Sequence, residues 1–140
     1  ARVTGAAADT PVVCLQTVSD TQDVLDIVAL AAELGTEPAS IACDIADGLA
    51  QVAAAALAAM ERSGVGVYGT GGDIIAALCR ACGAQGIELI DEVLPLATYG
   101  RLVGGQYSGL PLVTKGGLVG GPDAAWTCVN YLINSLEERA

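Results

Sequence analysis

"VGVYGTGGDIIAALCRACG", residues 65–83, decides how this chain is built. A short β-rich run, "VGVY" (65–68), ends in the glycines of "GTGG" (69–72). A helix starts near Asp73, with Ile74, Ile75, Leu78 and Cys82 facing inward and Gly83 as its stop. A strand that runs through glycines straight into a helix is a unit of layered α/β domains.

The same alternation continues outward. Upstream, "PVVCLQTV" (11–18) reads as a strand, and Asp20 as the cap of a helix with Val24, Ile27, Val28, Ala31 and Leu34 on one face. Gly35 stops it. A second helix follows Pro38, its apolar face repeating at Ile41, Ile45, Leu49, Val52, Ala56 and Met60, and Gly64 closes it. Downstream, "GIELIDEVLP" (86–95) is a strand, and residues 99–114 form a β excursion turning at Gly104-Gly105 and Ser108-Gly109. Asp123 caps a last helix that buries Ala125, Val129, Leu132, Ile133 and Leu136. The expected architecture is an α/β/α layered domain with a mostly parallel or mixed sheet. Residues 1–10 form a loose lead-in, and 11–140 a single domain.

Composition narrows the function. Apolar residues make up 53% of the 140 and charged residues 16%, which suits a packed core and not disorder. No apolar run reaches the length of a membrane span, and "AQVAAAALAAM" (50–60) is too short and too weakly apolar to be one. No signal-peptide pattern opens the chain, so the cytoplasm is the expected location and no membrane partner is expected. With 16 acidic and 6 basic residues the net charge is −10, which excludes nucleic acid as a partner. Any anion site must be local and built mainly from backbone. Five cysteines scattered through apolar segments read as buried free thiols. Cys79 and Cys82 form a CxxC, but it lies mid-helix without a second pair. Histidine is absent, so neither structural zinc nor a Ser-His-Asp or Cys-His set is indicated.

Two stretches carry the chemistry. Residues 64–69, "GVGVYG", match G-x-G-x-x-G, but their first two glycines precede the strand, so the match is accidental. The loop "GTGGD" (69–73) lies where it should, between a strand end and a helix N-terminus, where free N–H groups and a positive dipole meet a ligand. The second stretch, "TKGGLVGGPD" (114–123), holds the chain's single lysine, Lys115, among Gly116, Gly117, Gly120 and Gly121. Either loop alone could be a mere turn. Together they could bracket a polyphosphate with few basic side chains. Asp73 could orient loop amides, accept a ribose hydroxyl or hold Mg²⁺ through water. Asp91 and Glu92 are weaker metal candidates. Of the nearby aromatics, Tyr99, Tyr107 and Trp126, one could flank a base, with packing the better role for Trp126.

"YGTGGDIIAALCRACGAQGIELIDEVLPLATYGRL" followed by "GLPLVTKGGLVGGPDA" resembles the C-terminal nucleotide-binding domain of the four-carbon acid sugar kinases, a family first known as a domain of unknown function. The motifs are Thr70-Gly71-Gly72-Asp73, Glu92 through Pro95, and Leu110-Pro111 through Lys115-Gly116-Gly117 to Gly120. The resemblance implies ATP with Mg²⁺, held by Gly71, Gly72, Asp73 and Ile74 on one side and Lys115, Gly116, Gly117 and Gly120 on the other. It also implies a sugar-acid substrate and a catalytic base in a separate N-terminal domain, so this chain is expected to be catalytically incomplete alone. The sequence departs from the family in three places. Ile74 stands where threonine is usual, "KGGLVG" replaces the commoner "KSGNFG", and the serine-rich opening is missing. A non-catalytic nucleotide- or phosphometabolite-binding module is the alternative, and a structural domain the third reading. A homo-oligomer is left open.

Overall fold

Leu112 and Val113 are neighbours in one strand, yet they are buried in two different cores. Successive side chains of a strand point to opposite faces, so this sheet is covered on both sides. The computed structural model describes residues 2–4, 12–60 and 64–138. In chain order the elements are β1 (Arg2–Thr4), β2 (Cys14–Gln16), a 3-10 turn (Thr21–Asp23), α1 (Ile27–Leu34), α2 (Pro38–Ala59), β3 (Val67–Thr70), α3 (Gly72–Ala81), β4 (Gly86–Leu94), β5 (Ala97–Val103), β6 (Pro111–Lys115) and α4 (Ala124–Glu137).

The central sheet has the order β3-β6-β5-β4, while β1 and β2 pair separately as an antiparallel ribbon. β3 and β6 run parallel, with Thr70 opposite Lys115. The other two pairings are antiparallel. The sheet is therefore mixed, for a reason visible in the connections. Pro95 and Leu96 alone join β4 to β5, and a link that short can join only antiparallel strands. The β excursion is also present, as β5, a turn through 104–110 and β6.

On one face, Ala46, Ala50 and Leu57 of α2 and Ala77 and Leu78 of α3 pack with Leu102 and Leu112 of the sheet. On the other, Cys128 and Leu132 of α4 cover Ala97, Tyr99 and Val113. Each buried leucine contributes about 1.5–3 kcal/mol.

Several local expectations shift. β3 starts at Val67, and Arg2–Thr4 of the expected lead-in form a strand. Asp20 caps the 3-10 turn through a capping box with Asp23, whereas α1 starts later with the Asp26 carboxylate accepting from the Ala29 amide at 2.9 Å. Of the face expected for α1 only Ala31 is buried, and Val28 is 69% exposed. α2 packs through alanines, which let α3 come close, and leaves Val52 and Met60 exposed. The buried face of α4 is Ala124, Cys128 and Leu132, rotated from the expected one so that Ala125 is exposed. Asp123 occupies the cap position without a side-chain cap bond. By length and composition α2 could cross a membrane, which a reading by apolar runs alone missed. Its Ala46–Ala50–Leu57 side packs on α3.

Candidate functional site

β3 and β6 are adjacent and parallel, so both glycine loops leave the sheet at the same end. A third connection, the Pro95–Leu96 turn, comes to that end because Ala97 pairs with Lys115. One peptide unit ties the three together. The carbonyl of Lys115 accepts from the Gly71 amide at 3.0 Å, and the amide of Gly116 donates to the Leu96 carbonyl at 3.1 Å.

The loop after β3 is brief. Gly71 takes φ of 96°, a value that L side chains rarely adopt, and serves as N-cap of α3 without any side-chain bond. The amides of Gly72, Asp73 and Ile74 open the helix, and the first helical bond is Ile75 N–H to the Gly71 carbonyl. Those three amides are the free donors every helix start leaves. The loop after β6 is longer. Gly116 to Val119 make a turn closed by a 3.4 Å bond, Gly120 takes φ of 91°, and α4 follows. Among the described residues, the amides of Gly117, Leu118, Gly120 and Gly121 have no backbone acceptor. The two loops touch. A Cβ on Gly117 would lie 3.8 Å from the Gly71 Cα.

Lys115 is half-buried, and its ammonium donates to the carbonyls of Gly116 (2.6 Å) and Val119 (2.7 Å). No carboxylate lies within ion-pair distance of it among the described residues. Below it, burial pushes the Cys128 thiol up, and the Lys115 charge opposes that shift.

A cleft of about 400 Å³ runs from these loops along α3. Gly72, Thr114, Lys115 and Gly116 line one part, and Ile75, Ala76, Cys79 and Ile87 make an apolar wall. Burial also raises the Cys79 thiol above its ordinary range.

Of the eight residues expected at the site, Gly71, Gly72, Lys115, Gly116 and Gly117 meet here. Asp73 is exposed on the first turn of α3, at the rim. The Ile74 side chain packs against the core, so only its amide belongs to the loop. Gly120 lies at the foot of α4, where a Cβ would come 2.5 Å from that of Ala124. The aromatics do not serve as expected. Tyr99 is buried beneath α4, and Tyr107 lines a separate 200 Å³ hollow with Leu57 and Val65. Trp126 is 64% exposed instead of packed. Asp91 is taken by Tyr131, whose hydroxyl donates to it at 2.5 Å.

Sequence reasoning missed Leu96 as a site residue. It is 70% exposed with φ of 62°, the one non-glycine in the left-handed region among the described residues. Proline before such a residue is the pattern of a type II turn, normally finished by glycine or asparagine. Pro95 was the available signal. The cleft wall was also missed, although Gly72, Ile75, Ala76 and Cys79 form an i, i+3, i+4, i+7 stripe.

A family described as the nucleotide-binding C-terminal domain matches residues 1–125. The chain belongs to that family. This nucleotide-binding domain is 44% identical over 128 residues to a D-erythronate kinase of Heliobacterium modesticaldum, covering 91% of the chain and 29% of the kinase. It also resembles two crystal forms of a domain of unknown function, DUF1537, from Bordetella bronchiseptica, both citrate-bound, domain-swapped dimers. Each is 39% identical with a TM-score of 0.59, covering 63% or 66% of this chain and 22% of its own. The nucleotide-binding domain thus spans less than a third of these relatives.

Proposed function

We propose that this domain holds the phosphates of ATP across its two glycine loops, as part of a kinase that phosphorylates a four-carbon sugar acid. The observation that carries the proposal is the peptide of Lys115 and Gly116, which fastens both loops at one sheet end. The donor set fits a polyphosphate. The first loop offers the acceptor-free amides of Gly72, Asp73 and Ile74 and the second those of Gly117 and Gly120, and backbone donors suit anions in a protein of net charge −10. The apolar stripe along α3 suits a base. From Gly72 to Cys79 is seven residues, or about 10 Å of helix.

When bound, ATP would supply the phosphoryl group and carry its Mg²⁺ on the phosphates. Among the described residues no cluster of three His, Cys, Asp or Glu is poised to hold a metal. The chain's own contribution is electrostatic, since fixed amides stabilise phosphate charge without reorganising. The sugar acid and the catalytic base belong to a separate N-terminal domain in this reading, supported by the 29% coverage of D-erythronate kinase. The free thiols suit a reducing cytoplasm, and the domain-swapped relatives support a homo-oligomer.

Titration calorimetry of the full-length protein with ATP and ADP, with and without Mg²⁺, followed by ADP release on D-erythronate and other four-carbon acids, tests the proposal. Binding with turnover is expected. Binding without turnover on any such acid would favour a non-catalytic module, and absence of binding would remove both readings.

A further inference from the structure

We infer that Lys115 is a positioning residue: its ammonium sits inside the second glycine loop and turns the Gly117 and Gly120 amides outward. This rests on the nucleotide reading only for what those amides then bind. The argument itself is geometric. The described peptides are all trans, and in a trans peptide the C=O and the following N–H point in opposite directions. The ammonium draws in the Gly116 and Val119 carbonyls at 2.6 and 2.7 Å. The N–H groups on the far side of those two peptides are those of Gly117 and Gly120. Neither has a backbone acceptor among the described residues.

The next peptide back obeys the same rule. The Lys115 carbonyl is held by Gly71, and the opposite N–H, that of Gly116, by Leu96. Peptides 115–116, 116–117 and 119–120 are thus each oriented by a named partner. Without the ammonium, the Val119 carbonyl would lose its donor and the Gly116 carbonyl would keep only the 3.4 Å bond from the Val119 amide, and like partial charges would drive the Val119 carbonyl to flip. A flipped peptide presents oxygen to the ligand in place of N–H. A lysine has three donors, and two are spent on the loop. The geometry also explains why the chain's single lysine has no carboxylate partner among the described residues: an ion pair would pull the ammonium off the carbonyls.

Hydrogen exchange of the full-length protein without nucleotide tests this directly. In Lys115→Met, which keeps the apolar stem, exchange of the Gly116 and Val119 amides, the two in the loop that donate to a carbonyl, should quicken at least tenfold. β3, β6 and the urea midpoint should stay as in the wild type, and ADP affinity should fall about tenfold. In Lys115→Ala, propylammonium should slow loop exchange again, a rescue that a stem-packing role would not give. Lys115→Arg is the second variant should Lys115→Met fail to fold. Its planar fork cannot converge on both carbonyls, so loop exchange should quicken although the charge is kept. Unchanged loop exchange in the ligand-free variants would overturn the inference, as would a loosening shared by the whole domain. A wild type that binds no nucleotide would sink the ATP reading and leave the exchange result standing.

Discussion

The two glycine loops perform similar work by different means. The first, at Gly71–Gly72, is held by backbone alone: one left-handed glycine, one bond to Lys115 and an immediate helix. The second, from Gly116 to Asp123, has one long backbone bond of its own, from Val119 to Gly116, and otherwise rests on outside groups: the Lys115 ammonium, the Leu96 carbonyl and the foot of α4. A loop with no slack is vulnerable at its dihedral angles. A longer loop is vulnerable at its supports. Substitutions should separate the two kinds of weakness.

The largest difference is expected between two alanine substitutions. Gly120→Ala meets both φ of 91° and a Cβ approach of 2.5 Å to Ala124. It should lower the unfolding free energy in urea by about 2–4 kcal/mol. At Gly71 a Cβ would find only Ile74 Cγ1 at 3.7 Å, leaving φ of 96° as the strain. That variant should lose about 1–3 kcal/mol. Equal losses would break the comparison.

Next comes the strained support. Leu96→Asn puts at φ of 62° a residue that tolerates the left-handed region and keeps the carbonyl on Gly116. It should raise the unfolding free energy in urea by about 0.5–1 kcal/mol and leave ADP affinity unchanged in calorimetry. Lower affinity would mean that the Leu96 side chain itself reaches the ligand.

The smallest effect concerns how the helices behind the loops are tied down. α3 is fastened to α2 by Arg80 and Asp47, at 2.6 Å and largely in solvent. α4 is fastened to β4 by Tyr131 and Asp91. The bond to Asp91, with burial, pushes the Tyr131 phenol up to about 12 from its ordinary 10. A folded value above the unfolded one means that the contribution is complete below pH 10 and lost as pH rises from 10 to 12. Tyr131→Phe should cost at most about 1 kcal/mol at neutral pH and flatten that alkaline limb of a urea-midpoint profile. An unchanged limb would refute the assignment.

Much of this was legible in the sequence because it depends on near neighbours. Strand, glycine loop and helix at 67–81 are local, and so is the turn at Gly104-Gly105. Strand direction was harder, since alternating elements suggest parallel pairing until Pro95–Leu96 is recognised as too short a crossover. Helix faces failed where size mattered more than hydropathy, as with the alanines of α2 and with Cys128 of α4. The amphipathic pattern of α1 is real, but Val24, Val28 and Leu34 meet no cover among the described residues. Of the site, Gly71, Gly72, Lys115, Gly116 and Gly117 were readable from spacing. The direction of the Lys115 ammonium was not, because only the folded loop brings two carbonyls to it.

A chain of 140 residues with one lysine has one side-chain amine. Reagents that acylate or label amines, in the flask or in the cell, therefore have a single side chain to find in this domain. Neutralising that amine would remove the two bonds from the ammonium to the Gly116 and Val119 carbonyls. The lysine count turns ordinary surface chemistry into a reporter of one loop, with its half-buried position setting how fast the label is taken up.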